Sequence, residues 1–139
     1  MKVLLAVDGS SYTKKMLAYL ATHDMLSPGN AYTTINVQLV LPAQARAALG
    51  KDIVKKYYEN ELDKVQLPVG KFLERHGITA RNISKVGNPG ELISKAATDG
   101  KFDLVVMGSH GHGALVNLIT GSVTTEVLAH CKVPVLVIR

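Results

Sequence analysis

The chain is poor in cysteine, tryptophan and long apolar runs, and each shortage closes off a class of protein. Its one cysteine, Cys131, cannot form an internal disulfide framework and suits a reducing compartment, so cytoplasm is the expected location. Tryptophan is absent and aromatics reach only 5%, with no interleaving of rings and basic residues of the kind that stacks nucleic-acid bases. No apolar run approaches the roughly 18 residues of a spanning helix, so no membrane segment is expected. The N-terminus, MKVLLAVDGS, lacks the longer apolar region and small-residue cleavage site of a signal peptide and reads as a buried first strand. Acidic residues are outnumbered, 11 to 16, giving a net charge of +5 and a pI near 9.4.

A basic balance raises the question of nucleic acid, because clustered Lys and Arg are the footprint of phosphate-backbone binding. Here Lys14, Lys15, Lys51, Lys55, Lys56, Lys71, Arg75 and Lys101 are dispersed over segments that read as helix faces and loops. Solvated helix surfaces account for them, and a nucleic-acid partner is not expected. With 139 residues the chain suits one domain, spanning 1–139, with a real core and one site.

Four stretches are short and dense in apolar or β-branched residues: Lys2 to Val7, Thr34 to Leu41, Phe102 to Met107 and Pro134 to Ile138. The first, third and fourth are almost continuously apolar, the pattern of parallel strands covered on both faces. A weaker alternating stretch, Ile78 to Val86, reads as a strand near a sheet edge. Between them lie helical patterns. Met16, Leu17, Leu20 and Ala21 follow a Ser10-Ser11 start signal. Asn88-Pro89-Gly90-Glu91 combines an N-cap, a first-turn proline and a capping-box glutamate, with Leu92, Ile93, Ala96 and Ala97 as the buried face. A last helix should begin at Ser122, burying Val123, Val127, Leu128 and Cys131 and ending before Pro134. In the middle segment, Ala43 to His76, Leu62, Val65, Val69, Phe72 and Leu73 keep helical spacing, but Pro68 predicts a kink or a break. The alternation of strands and helices predicts an α/β fold with an open, mostly parallel sheet and right-handed crossovers.

In such sheets ligands bind beyond the carboxyl ends of the strands, where strand order reverses. The loops after strands therefore matter most. Asp8-Gly9-Ser10-Ser11 follows the first strand, and Gly108-Ser109-His110-Gly111-His112-Gly113 follows the strand ending at Met107. Three glycines in those six residues imply that the backbone takes unusual angles or lets a ligand approach closely. Gly121-Ser122 then opens the last helix, whose free N–H groups and dipole welcome an anion. A P-loop is excluded, because no Gly, four residues, Gly-Lys-Ser/Thr run occurs. A dinucleotide fingerprint is excluded too, because Val116 stands where it needs Gly or Ala.

What does fit is Gly, two residues, Gly, nine residues, Gly-Ser/Thr, filled by Gly108, Gly111, Gly121 and Ser122. On this motif the chain resembles the universal stress protein (UspA-like) family. The likeness runs almost end to end, through KVLLAVDGS, VGNPGELI, VVMGSHGHG, ITGSVTTEVL and VPVLVIR. The resemblance implies a five-stranded parallel sheet ordered 3-2-1-4-5 with helices on both faces, Rossmann-like and of the adenine nucleotide alpha hydrolase type. It also implies the branch that binds ATP. Carried over by position, Asp8 would reach the ribose, Ala6 and Leu39 the adenine, and Met107 the side of the base. Gly108, His110, Gly111, Gly121, Ser122 and Val123 would surround ribose and phosphates. Ala6 stands where some ATP-binding relatives have proline. Mg²⁺ or Mn²⁺ carried by the nucleotide would separate the Asp8 charge from the phosphates. The family implies dimers through its last strand, and Pro134 to Ile138, apolar at every position, would be hazardous as a free edge; a homodimer is expected.

Simpler roles stand beside these. Asp8 could cap the turn that follows it, and Ser122 could be only an N-cap. His110 and His112, two apart with no carboxylate or thiol nearby in sequence, fall short of a metal set. His130 reads as a helix-end residue and Cys131 as a packing residue. No catalytic set emerges. An ATP-binding stress-response module is therefore the leading reading, against a slow ATPase or self-phosphorylating phosphotransferase acting through Ser109, His110 or Ser122, and against an interaction module that binds no nucleotide.

Overall fold

The computed structural model describes residues 1–112 and 120–139. Gly113 and Val116, read above as part of the glycine loop and as a fingerprint mismatch, lie outside the described residues. The chain runs β1 (Lys2–Ala6), α1 (Ser11–Thr22), β2 (Ala31–Gln38), α2 (Ala43–Leu49), α3 (Lys51–Arg75), β3 (Arg81–Val86), α4 (Pro89–Asp99), β4 (Leu104–Gly108), α5 (Ser122–His130) and β5 (Val135–Ile138). The five strands pair in parallel in the order β3-β2-β1-β4-β5, the expected topology.

Alternation along β1 divides the core. Val3, Leu5 and Val7 face a cluster built with Met16, Leu17 and Leu20 of α1 and Val65, Val69 and Leu73 of α3. Leu4 faces the other side, with Ile93 and Ala97 of α4 and Val127 of α5. Burying each such side chain contributes about 1.5–3 kcal/mol, which is why a nearly continuous apolar strand ends up in the middle of the sheet. Asn88 caps α4 as its sequence predicts: its Oδ1 accepts the Glu91 N–H at 2.9 Å, with Pro89 in the first turn.

Several sequence expectations are corrected. β2 starts at Ala31 rather than Thr34, because its parallel register with β1 begins at Lys2↔Ala31. β3 starts at Arg81, leaving Ile78 as a buried plug in the α1/α3 core. β4 starts at Leu104, because the Phe102 N–H still bonds Ala97 O at the end of α4. Leu128, expected inside, is 48% exposed. Pro68 neither breaks nor ends its helix: α3 continues from Lys51 to Arg75. The missing donor lies on the solvent side, where Lys64 and Pro68 are exposed and water can satisfy the freed carbonyl. Val65, Gln66, Val69 and Leu73 anchor the opposite side on both flanks of the proline.

Candidate functional site

β1 and β4 are neighbours, and the loops that leave their carboxyl ends meet above the sheet. The first loop is pinned from below. Asn36, 1% exposed, donates its amide to Val7 O at 2.7 Å, fixing where the chain turns out of β1. Asp8 follows. Its Oδ1 accepts the Ser10 N–H at 2.9 Å and the Thr13 hydroxyl at 2.8 Å, and the same hydroxyl accepts the Asp8 N–H at 3.0 Å. Asp8 is thus the turn former that its position after a strand suggests. That role occupies one oxygen only; Oδ2 takes no hydrogen bond from the described residues. Gly9 completes the turn at φ +75°, and a Cβ there would lie 3.2 Å from Val65 Cγ2 of α3.

The second loop is held between α1, β5 and α5. Ser109 N–H donates to Ile138 O at 2.8 Å, and Gly121 N–H to Ser109 O at 2.7 Å. Thr124, inside α5, donates to Gly108 O at 2.9 Å. A Cβ at Gly108 would sit 2.9 Å from Tyr12 Cβ, and one at Gly121 would sit 3.1 Å from His110 Cα. These two glycines are close-approach positions: β4 meets α1 at one, and the start of α5 meets the loop at the other.

The two loops touch directly. At Gly111 a Cβ would run into Asp8 Oδ2, so the glycine backbone lies against the carboxylate. The next residue, His112, donates from Nε2 to the Asp8 carbonyl at 2.7 Å; because a carbonyl only accepts, that nitrogen carries the hydrogen. His110 pairs its Nδ1 with the Ser109 hydroxyl at 2.8 Å and lies with its ring centroid 4.9 Å from that of Tyr12.

α5 begins here as well. Gly121 is its N-cap without a side-chain bond, and Thr125 N–H is the donor that returns to Gly121 O. The N–H groups of Ser122 and Val123 belong to the unpaired first turn. Ser122 is exposed and Val123 half-buried. Near Asp8, the Ser10 hydroxyl is buried with no hydrogen-bond partner among the described residues.

The structure thus brings together Asp8, Gly108, His110, Gly111, Gly121 and Ser122. Ala6 is half-buried at the end of β1. Met107, in β4, is 4% exposed, and its side chain belongs to the α4/α5 core, so its backbone is what it can offer a ligand. Leu39 lies just past β2, 69% exposed. Sequence reasoning passed over Tyr12, Thr13, Asn36 and Thr124, which position the loops. Thr13, five residues after Asp8 and inside an apolar helix face, carried the one readable signal.

The universal stress protein family model matches residues 1–139. A universal stress protein of Synechocystis, Slr1230, is 31% identical over 138 residues, which is 99% of this chain but 42% of that protein. One from Thermus aquaticus is 28% identical over 138 residues, covering 99% of this chain and 97% of the relative. Among solved structures, protein MJ0577 of Methanocaldococcus jannaschii superposes with a TM-score of 0.83 at 28% identity, covering 99% of this chain and 94% of that one. The same fold recurs in an Arabidopsis thaliana family protein with AMP bound (TM-score 0.65, 19% identity, 99% and 90% coverage). It recurs again in an Archaeoglobus fulgidus universal stress protein in complex with dAMP (TM-score 0.67, 20% identity, 100% and 98% coverage). The chain belongs to the universal stress protein family.

Proposed function

We propose that the chain is a single universal stress protein domain that binds ATP at the meeting point of the β1 and β4 loops, as a cytoplasmic stress-response module whose nucleotide alters its shape or its partners. The observation that carries this reading is the contact of the Gly111 backbone with Asp8 Oδ2, at the place where strand order reverses between β1 and β4. One half of the pair is a carboxylate whose Oδ2 takes no hydrogen bond from the described residues, suited to ribose hydroxyls. The other is a backbone with no side chain in the way. AMP and dAMP in the two fold relatives support an adenine nucleotide.

The residues present fit such a ligand. The first-turn N–H groups of Ser122 and Val123 and the dipole of α5 would face phosphates. Gly108 and Gly121 let α1 and the loop backbone pack closely, which would set their own main-chain atoms and His110 beside the ribose and phosphates. The Ser10 hydroxyl, buried without a hydrogen-bond partner among the described residues, adds a polar group beside Asp8. Ala6 and Leu39 would border the adenine, with the Met107 backbone at its side. Mg²⁺ or Mn²⁺ would arrive with the nucleotide and keep its phosphates compatible with Asp8. Turnover has weaker support: Ser109, the residue hydrogen-bonded to the His110 ring, is only 2% exposed, and glycines supply no base.

β5 is an edge of the sheet, and pairing of Pro134 to Ile138 between two copies would cover it. Light scattering at micromolar concentration should return twice the 14.9 kDa chain mass; a monomer mass removes the homodimer.

The nucleotide itself is tested by denaturing the purified protein and identifying any released nucleotide by mass spectrometry, with ATP titration of the stripped protein alongside. Binding that is lost in Gly121→Val supports the reading. No released nucleotide together with no ATP binding would leave an interaction module instead.

A further inference from the structure

The α2–α3 hairpin has no part in the nucleotide reading, yet it carries surface features that the fold does not require. α3 has 25 residues, about 37 Å at 1.5 Å per residue. β2, against which it packs, has eight, about 26 Å. The excess lies in the N-terminal half of α3: its buried residues are Val54, Val65, Gln66, Val69 and Leu73, so positions 55–64 bury nothing fully. α2 has no buried residue at all. A helix of seven residues that buries nothing contributes little to folding.

Large apolar side chains are nonetheless exposed on these two helices. Leu49 is 44% exposed, Ile53 57% and Tyr57 41%; Ile53 and Tyr57, four apart, share one helix face. Between the two helices lies a cleft of about 370 Å³, formed by Ala43, Ala47 and Val54 with Arg46 and Lys51. Ala43 and Ala47 on the α2 wall and Val54 on the α3 wall give the cleft a small apolar floor between two cations, the kind of groove that receives the apolar side chains of an amphipathic helix.

The charges say what kind of helix. Residues 43–60 hold four cations, Arg46, Lys51, Lys55 and Lys56, against Asp52 and Glu59. Lys55 is paired with Glu59 at 3.9 Å. Arg46 donates from Nε to Leu41 O at 3.0 Å, which fixes the guanidinium and leaves its terminal nitrogens for a carboxylate. Lys51 opens α3, where a positive charge opposes the helix dipole, and the N-cap Gly50 makes no side-chain bond there. A partner's carboxylate would meet Arg46, Lys51 and the unpaired N–H groups of the α3 start together. A second copy of this chain would instead bring like charges face to face, and a flat lipid surface would not enter a cleft.

We propose that the α2–α3 cleft is a docking groove for an acidic amphipathic helix of another protein, with its apolar face between α2 and α3 and its carboxylates on Arg46 and Lys51. The proposal stands independently of the nucleotide.

The test uses the full chain, immobilised, and a displayed library of roughly 15-residue helical peptides, long enough to hold some helix in isolation. Enriched peptides should combine an apolar stripe with Asp and Glu. Their affinity should fall at least about tenfold for Ala47→Asp and for the double variant Arg46→Glu/Lys51→Glu, as for central interface residues, and should weaken with added salt. Both variants alter exposed residues, and circular dichroism and thermal unfolding will confirm that they fold. The proposal is overturned if nothing is enriched, if enriched peptides are basic, or if they bind both variants as tightly as the parent. It is also overturned if the parent self-associates through this face, or binds phosphatidylserine vesicles and no peptide.

Discussion

His112 Nε2 donates a 2.7 Å hydrogen bond to the main-chain carbonyl of Asp8, joining residues 104 positions apart in sequence. Together with the Gly111 backbone against Asp8 Oδ2, it makes the loop after β4 close on the loop after β1. Register explains how two such distant residues meet: Leu5 pairs with Val106, so both strands deliver their following loops at the same height. The candidate site is therefore a property of the β1–β4 junction, and its variants can be judged from contacts that exist without ligand.

Replacing His112 by Ala removes that inter-loop bond while leaving the backbone angles permissible. The bond is solvent-exposed, so its loss should lower stability by about 0.5–1.5 kcal/mol at most, or roughly 2–5 °C in Tm for a domain of this size. Thermal unfolding followed by circular dichroism checks it. An unchanged Tm would mean that the bond contributes nothing in solution.

Gly111→Ala is predicted to weaken both the loop and nucleotide binding. Its methyl would occupy the space of Asp8 Oδ2, and the loop must shift to admit it, a strain of about 1–3 kcal/mol. ATP affinity, measured by calorimetry, should fall by about tenfold or more. Wild-type affinity in the variant would show that the Gly111–Asp8 contact is irrelevant to the nucleotide.

How much of this was legible beforehand depends on whether the signal was local. The Asn88 cap, the apolar strands and the glycine spacing are local, and the sheet order and the meeting of Asp8 with the Gly108–Ser122 motif followed once the family resemblance was added. Strand starts were less legible, because the register between Ala31 and Lys2 is set by a partner strand rather than by composition. The break offered at Pro68 does not occur, because periodicity says nothing about which face a proline occupies; on the solvent side the lost donor leaves a carbonyl that water can reach. The residues that hold the loops, Asn36 and Thr124 above all, looked like ordinary polar interruptions of apolar runs, and only their partners in space give them a role.

Thr124→Val tests one of those holders. The swap keeps volume but deletes the donor to Gly108 O, a 2.9 Å bond made by a residue 2% exposed. The carbonyl loses a partner in a buried setting, at about 1–3 kcal/mol. Urea denaturation should show the midpoint moving down with an unchanged slope. A neutral result would mean that Gly108 O finds water, and that α5 is not fixed to the loop through this bond.

Gln66 offers a test of coupling rather than of a single bond. It is 5% exposed on α3, donates from Nε2 to Ile83 O at 3.0 Å, and lies with Oε1 2.7 Å from Thr34 Oγ1. Thr34 Oγ1 is also 2.8 Å from Asn82 Oδ1. A hydroxyl has one hydrogen, so Thr34 can donate to only one of these oxygens. The bond from Gln66 to Ile83 orients the Gln66 amide and leaves its oxygen facing Thr34. Gln66→Leu alone should therefore destabilise by about 1–3 kcal/mol, because it strands the Ile83 carbonyl, while the Thr34 hydroxyl turns to Asn82 Oδ1. Thr34→Val alone strands the Gln66 oxygen. In the double variant the stranded amide oxygen is gone, so its loss should be smaller than the sum of the two singles by about 1 kcal/mol. Additive losses across the denaturation cycle would show that α3 is registered on β2 by apolar packing alone.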